Sequence, residues 1–177
     1  MTPRAVLVVL LGITTVGGCT SAPGQAMPGC EPGPRLGILA QSVPDAAYVP
    51  CIAELPTGWT FEGLDVDDTG ATISLVSDRA DRGVDIDLVA SCDVAEATPI
   101  APSDEGVRTY HLVESIDPRF AGRLLDVFPG GCVVSSYDFE RGPHVALVTE
   151  LQEAVSLFSR RELRQDLEAD LGISLDP

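Results

Sequence analysis

An α+β fold, with an antiparallel sheet of about six strands covered by two C-terminal helices, is what this sequence predicts. Three observations carry that prediction. Apolar residues recur with period two between Trp59 and Phe139, the spacing of half-buried strands. Gly, Pro and Asp interrupt them at hairpin intervals, as in Asp67-Asp68-Thr69-Gly70 and Pro129-Gly130-Gly131. After Pro143 the period lengthens, and Val148, Leu151, Val155 and Phe158 fall on one helical face.

The elements follow in chain order. Pro44, Pro50 and Pro56 cut the segment from Leu36 to Leu55 into short pieces, leaving room for a short helix around Leu36–Gln41. Trp59 and Phe61 share one face of a first strand. Leu64 and Val66 stay on that face only if the phase slips once, and Gly63 is where a bulge would do it. Beyond the turn ending at Gly70, Ala71, Ile73 and Leu75 alternate with Thr72, Ser74 and Val76. Arg79 to Gly83 makes the next turn. In the third strand Val84, Ile86, Leu88, Ala90 and Cys92 are expected to face inward, and Asp85 and Asp87 outward. Asp93 to Gly106 reads as a loop, Val107 to Ile116 as a fourth strand, Leu124 to Phe128 as a fifth and Cys132 to Phe139 as a sixth. Ser159-Arg160-Arg161-Glu162 is a capping box that starts a second helix. Its stripe is Leu163, Leu167 and Leu171, and Gly172 is a suitable stop.

The N-terminus has a different logic. One basic residue, Arg4, precedes an apolar run from Ala5 to Leu11, and Val16-Gly17-Gly18-Cys19 follows. In this order of charge, apolar stretch, small residues and cysteine, the first twenty or so residues resemble the export signal of bacterial lipoproteins. The resemblance implies cleavage before Cys19 and a diacylglyceryl group on its sulfur. At least two fatty acyl chains, of the palmitate kind, would then hold the protein on the outer face of the cell membrane. One chain binds a bilayer only marginally, whereas two give persistent attachment. The rival readings are an ordinary secretory signal and a retained anchor; the apolar run is shorter than the roughly 20 residues a span needs. The organisation expected is a signal peptide over 1–18, a lipidated N-terminus and Gly/Pro/Ser-rich tether over 19–35, and one α+β domain over 36–177.

Of five cysteines, Cys19 is taken by the lipid reading, which leaves Cys30, Cys51, Cys92 and Cys132. An even number in an exported protein reads as two disulfides, and four cysteines allow three pairings. Cys30–Cys51 with Cys92–Cys132 is favoured: the first would staple the N-terminal segment to the domain, the second would tie two predicted strands. A zinc site would want ligands in close pairs, and no two of these cysteines are near in sequence.

Charge limits the partners. The formal balance is −16, and removal of residues 1–18 with Arg4 leaves 10 Arg against 27 Asp plus Glu, or −17. Such a surface argues against nucleic acid and against lying flat on anionic lipid. The chain has no lysine, so it has neither a Schiff-base amine nor a phosphate-loop lysine.

Each candidate for chemistry has a plainer role beside it. Asp65-Val66-Asp67-Asp68-Thr69-Gly70 resembles the start of a calcium loop, but the twelfth position is Val76 where a bidentate glutamate belongs, and a hairpin turn wants the same residues. Asp85 and Asp87 read as a solvated strand face near Arg79 and Arg82. His111 and His144 have neither an i, i+4 partner nor a neighbouring cysteine. Trp59 and Phe61 read as core. No nucleophile elbow, zinc-protease helix or phosphate loop is present. The sequence therefore assigns no catalytic residue, metal or cofactor. It points to a lipid-anchored module that binds another envelope protein. The alternative is a carrier of a lipid or small hydrophobe between sheet and helices, and a cryptic-site enzyme comes third.

Overall fold

The structure, a computed structural model, describes residues 26–102 and 104–175 of the 177-residue chain. In chain order the elements are α1 (Pro34–Ser42), β1 (Tyr48–Ile52), β2 (Trp59–Val66), β3 (Gly70–Ser77), β4 (Val84–Val89), β5 (Thr98–Pro99) and β6 (Arg108–Ser115). They continue with β7 (Phe120–Phe128), β8 (Gly131–Phe139), α2 (His144–Ala154), β9 (Val155–Ser159) and α3 (Arg160–Leu171). The fold is α+β: β2 to β8 form an antiparallel seven-stranded sheet, and β1 and β9 form a separate two-stranded ribbon.

The sheet order is β2-β3-β4-β8-β7-β6-β5. The first three strands are the expected meander. The slip foreseen at Gly63 is there, as a register shift between Phe61 and Gly63 opposite β3. β8 then inserts beside β4, so the two halves of the sheet meet along β4 and β8 rather than along consecutive strands. One row crosses the whole sheet: Leu64, Ile73, Ile86, Ser135, Leu124, His111 and Thr98. It begins apolar and ends polar. Residues opposite one another on antiparallel strands share a face, so the covered face changes character from β2 toward β5.

The apolar part of that face is buried by α1, the ribbon and α3. Leu36 and Leu39 of α1, Ile52 of β1 and Leu163 and Leu167 of α3 join Ile73, Leu75, Ile86 and Leu88 in one core. α2 adds Leu147 and Leu151. Most of this burial is expressed as apolar surface removed from water, the dominant favourable contribution to folding. Gly122 lies opposite Tyr137, and a Cβ there would come within 2.5 Å of the Tyr137 hydroxyl and 2.3 Å of the Leu112 carbonyl. The absence of a side chain is what lets the Tyr137 ring lie across β7.

Three expectations are corrected. Val155 and Phe158 are not on a helix: α2 stops at Ala154, and residues 155–159 pair antiparallel with β1, Ile52 opposite Val155 and Tyr48 opposite Ser159. The β1 partner was hidden by Pro50, which a two-stranded ribbon tolerates because one edge needs no donor. The third strand ends at Val89, so Ala90 is exposed and Cys92 lies beyond the strand, only partly covered. The body also begins before residue 36. Ile52 N–H donates to the Pro28 carbonyl, Gly29 bridges to Ile52, and α1 starts at Pro34, so residues 27–35 belong to the body rather than to a tether.

Candidate functional site

The largest of the concavities described is an apolar surface groove of about 500 Å³. Three pieces of chain build it. α1 contributes Ile38, Val66 ends β2, and Leu167 comes from the buried side of α3. Gly172 takes a left-handed conformation (φ 64°), which ends α3 and turns the chain, and Ile173 N–H returns to the Leu167 carbonyl. That turn lays Ile173 and Leu175 along the groove. Gly37 keeps the two walls close, since a Cβ there would sit 3.3 Å from a Leu167 methyl. Ile38 is 51 % and Ile173 41 % exposed, so two large apolar side chains face water at one place. Volumes of roughly 300–1,000 Å³ are those of ligand sites.

Asp67 stands at the rim of the groove and closes the β2–β3 turn. Its Oδ1 accepts from the Thr69 N–H (2.7 Å), the Thr69 hydroxyl (2.6 Å) and the Gly70 N–H (3.1 Å). The Thr69 hydroxyl, foremost, holds this carboxyl below the usual aspartate range. These bonds are the internal chemistry of a turn. Among the described residues no three of His, Cys, Asp and Glu are grouped so as to hold a metal.

The other sequence candidates lie elsewhere. Cys19 is outside the described residues, and so is the Leu171 side chain. Cys30 is bonded to Cys51 and Cys92 to Cys132, the favoured pairs. Asp85 and Asp87 accept from Ser74 (2.8 Å) and Thr72 (2.7 Å) across the β3–β4 ladder. The arginines expected beside them are engaged otherwise. Arg79 binds both oxygens of Glu150, and Arg82 reaches Asp138 and Glu140. Trp59 is in the core, with its indole N–H on Glu150.

The two histidines, unrelated in sequence, flank one aromatic stack. His144, which opens α2, lies parallel to Phe120, Phe120 stacks on Tyr137, and Tyr137 touches His111. His111 Nε2 and the Tyr137 hydroxyl are 2.6 Å apart. Burial, with Glu114 nearby, pushes the Tyr137 hydroxyl up to about 12, so it keeps its proton. Burial pushes His111 down, toward the neutral form. Ser135, His111 and Asp126 share the covered face, yet His111 is given to Tyr137, and the Thr109 hydroxyl donates to Asp126 at 2.6 Å. Among the described residues no hydrogen bond joins Ser135 to His111, the link that an activated serine requires.

Sequence reasoning missed the groove. Its residues come from a segment cut up by prolines and from beyond a helical stop, and periodicity is silent at both places. Compared with known proteins, the chain matches no family model, no curated protein and no solved structure.

Proposed function

We propose that this protein is an extracytoplasmic lipoprotein, anchored to the cell membrane through Cys19, whose disulfide-bonded body binds a cell-envelope protein through the groove between α1 and α3. The observation that carries the reading is the exposure of Ile38 and Ile173 in one apolar concavity. Large apolar side chains gathered at a rimmed surface site mark places of association. The run Val16-Gly17-Gly18-Cys19 after the apolar stretch supports the location, and no helix among the described residues is long and apolar enough to cross a membrane. The space under the helices is occupied by core side chains, and the cleft beside Thr109, Leu151 and Val155 amounts to about 170 Å³. A carrier would therefore hold its hydrophobe in the surface groove, whose volume suits a small ligand and supports that second reading.

One experiment tests both parts. A photo-crosslinking amino acid replaces Ile38 in the full-length protein in intact cells, with Cys19 present or changed to Ala. The expected result is a discrete protein adduct in the membrane fraction, and release of the Cys19→Ala protein from membranes. An adduct with lipid alone favours the carrier. Absence of any adduct removes the groove as a binding site. A Cys19→Ala protein that stays with washed membranes removes the lipid anchor.

A further inference from the structure

In an acidic chain, three of the eleven basic residues line one concavity. Arg160, Arg161 and Arg164, at the start of α3, face Asp45 and Tyr48 across a cleft of about 350 Å³. Among the described residues that line it, three guanidinium groups stand against one carboxylate, which gives the lining a charge opposite to the chain's −16. At ordinary ionic strength charges more than roughly 8 Å away are screened, so the local sign governs what the cleft meets.

The state of these arginines is the second observation. Four other arginines are matched by carboxylates, Arg79 by Glu150, Arg82 and Arg119 by Asp138 and Arg123 by Glu114, whereas Arg108 and Arg141 are exposed without an ion pair among the described residues but line no part of the cleft. Arg161 and Arg164 are exposed and form no ion pair with any carboxylate of the described residues, in a chain carrying 27. Arg160 is different. It is half-buried, and its guanidinium donates to the Ala40 carbonyl at the end of α1, which fixes its position. The cleft thus has one arginine held in place and two open. Two amides of the helix start are already engaged, Arg160 N–H with the Ala47 carbonyl and Glu162 N–H with Ser159 Oγ. Recognition would come from the side chains.

The geometry points to a binding site for a phosphate group in this cleft, with Arg161 and Arg164 as the principal ligands and Arg160 behind them. Guanidinium forks match the paired oxygens of phosphate, and such charge-assisted bonds are the strong ones. The cleft has room for the group esterified to the phosphate as well as for the phosphate itself. Its source is either a soluble phosphoester or the headgroup of an anionic lipid. The second is within reach. The N-terminal segment joins the body at Cys51 and Ile52, and the cleft lies at the Tyr48 end of the same strand, about 13 Å away at ~3.3 Å per residue.

The test uses the full-length protein in a neutral detergent at low ionic strength. Inorganic phosphate and dihexanoylphosphatidic acid are titrated separately by calorimetry. Saturable binding is expected, weakened by roughly tenfold or more in Arg161→Gln/Arg164→Gln, with the melting temperature without ligand unchanged because both side chains are exposed. Arg108→Gln/Arg141→Gln alters net charge equally at exposed positions outside the cleft and is expected to bind as the parent does. Tighter binding of the short lipid than of inorganic phosphate identifies a headgroup as the source, and equal affinity identifies the phosphoryl group alone. Failure of both probes to saturate, or equal weakening in the two double variants, overturns the proposal.

Discussion

Glu150 ties three segments of chain to one carboxylate. It accepts from the Trp59 indole at 2.7 Å and from Arg79 at 2.8 and 2.5 Å, and Arg79 also donates to the Thr57 carbonyl. α2 is thereby fastened to the start of β2 and to the β3–β4 turn. Glu150→Ala leaves the indole N–H of a nearly buried Trp59 without its acceptor, and the expected loss is about 1–3 kcal/mol by urea denaturation. The carboxylate also sets an acid limit. The Arg79 hydrogen bonds hold Glu150 below its ordinary 4.5, so the folded state favours the charged form. That contribution is complete above pH 4.5 and is lost as pH falls through the folded value. His111 acts earlier in the same direction. Burial holds it below 6.5, so on acidification the unfolded chain takes up its proton first and stability falls from about pH 6.5 downward. In His111→Gln that upper part of the acid limb is expected to flatten, and the part below pH 4.5 to remain. Urea midpoints measured across pH 4–7 separate the two, and an unchanged slope near pH 6 would contradict the burial of His111.

Among the elements, the boundary between β9 and α3 shows how a local signal and a long-range one divide the work. Ser159 is the last residue of β9, opposite Tyr48, and also the N-cap of α3, its hydroxyl accepting from the Glu162 N–H. The hydroxyl supplies the cap and the backbone supplies the strand, so Ser159→Ala should cost about 1 kcal/mol while leaving the β1–β9 ribbon in register. Thermal unfolding gives the first quantity, and amide exchange of residues 48–52 the second. The capping box was readable because it is local. The strand preceding it reads as helix in the sequence because Val155 and Phe158 lie three apart, a helical spacing, while Val155 and Leu157 two apart fit a strand over the same short stretch. Only the presence of Tyr48–Ile52 alongside decided between them.

The molecule as a whole is held by two covalent staples at different depths of the topology. Cys30–Cys51 closes 21 residues and fixes the N-terminal segment to the ribbon. Cys92–Cys132 closes 40 and ties the loop after β4 to the start of β8, across the junction where the two halves of the sheet meet. Loop-closure entropy alone gives about 3–4 kcal/mol for each, more for the longer loop. Cys92→Ala/Cys132→Ala is therefore expected to lose more stability than Cys30→Ala/Cys51→Ala. The reverse order in denaturant titrations would mean that the ribbon, rather than the β4–β8 junction, limits the fold. Charge acts at the same scale. The acidic total disfavours anionic surfaces in general, and the arginine cleft is a local exception that composition averages away.

Everything periodic or local was already present in the chain: the alternation of Ala71-Ile73-Leu75 and Val84-Ile86-Leu88, the slip at Gly63, the Ser159 cap and the Gly172 stop. Such features arise from backbone geometry within a few residues, so their neighbours in sequence are sufficient to specify them. The order from Arg4 to Cys19 that resembles an export signal is legible for the same reason. Which strand lies beside β4, how Pro50 comes to sit in a ribbon, and where Ile38 meets Ile173 or Arg161 meets Asp45 depend on contacts between segments dozens of residues apart. Burial of a shared core settles those contacts, and it leaves no periodic trace in either segment by itself.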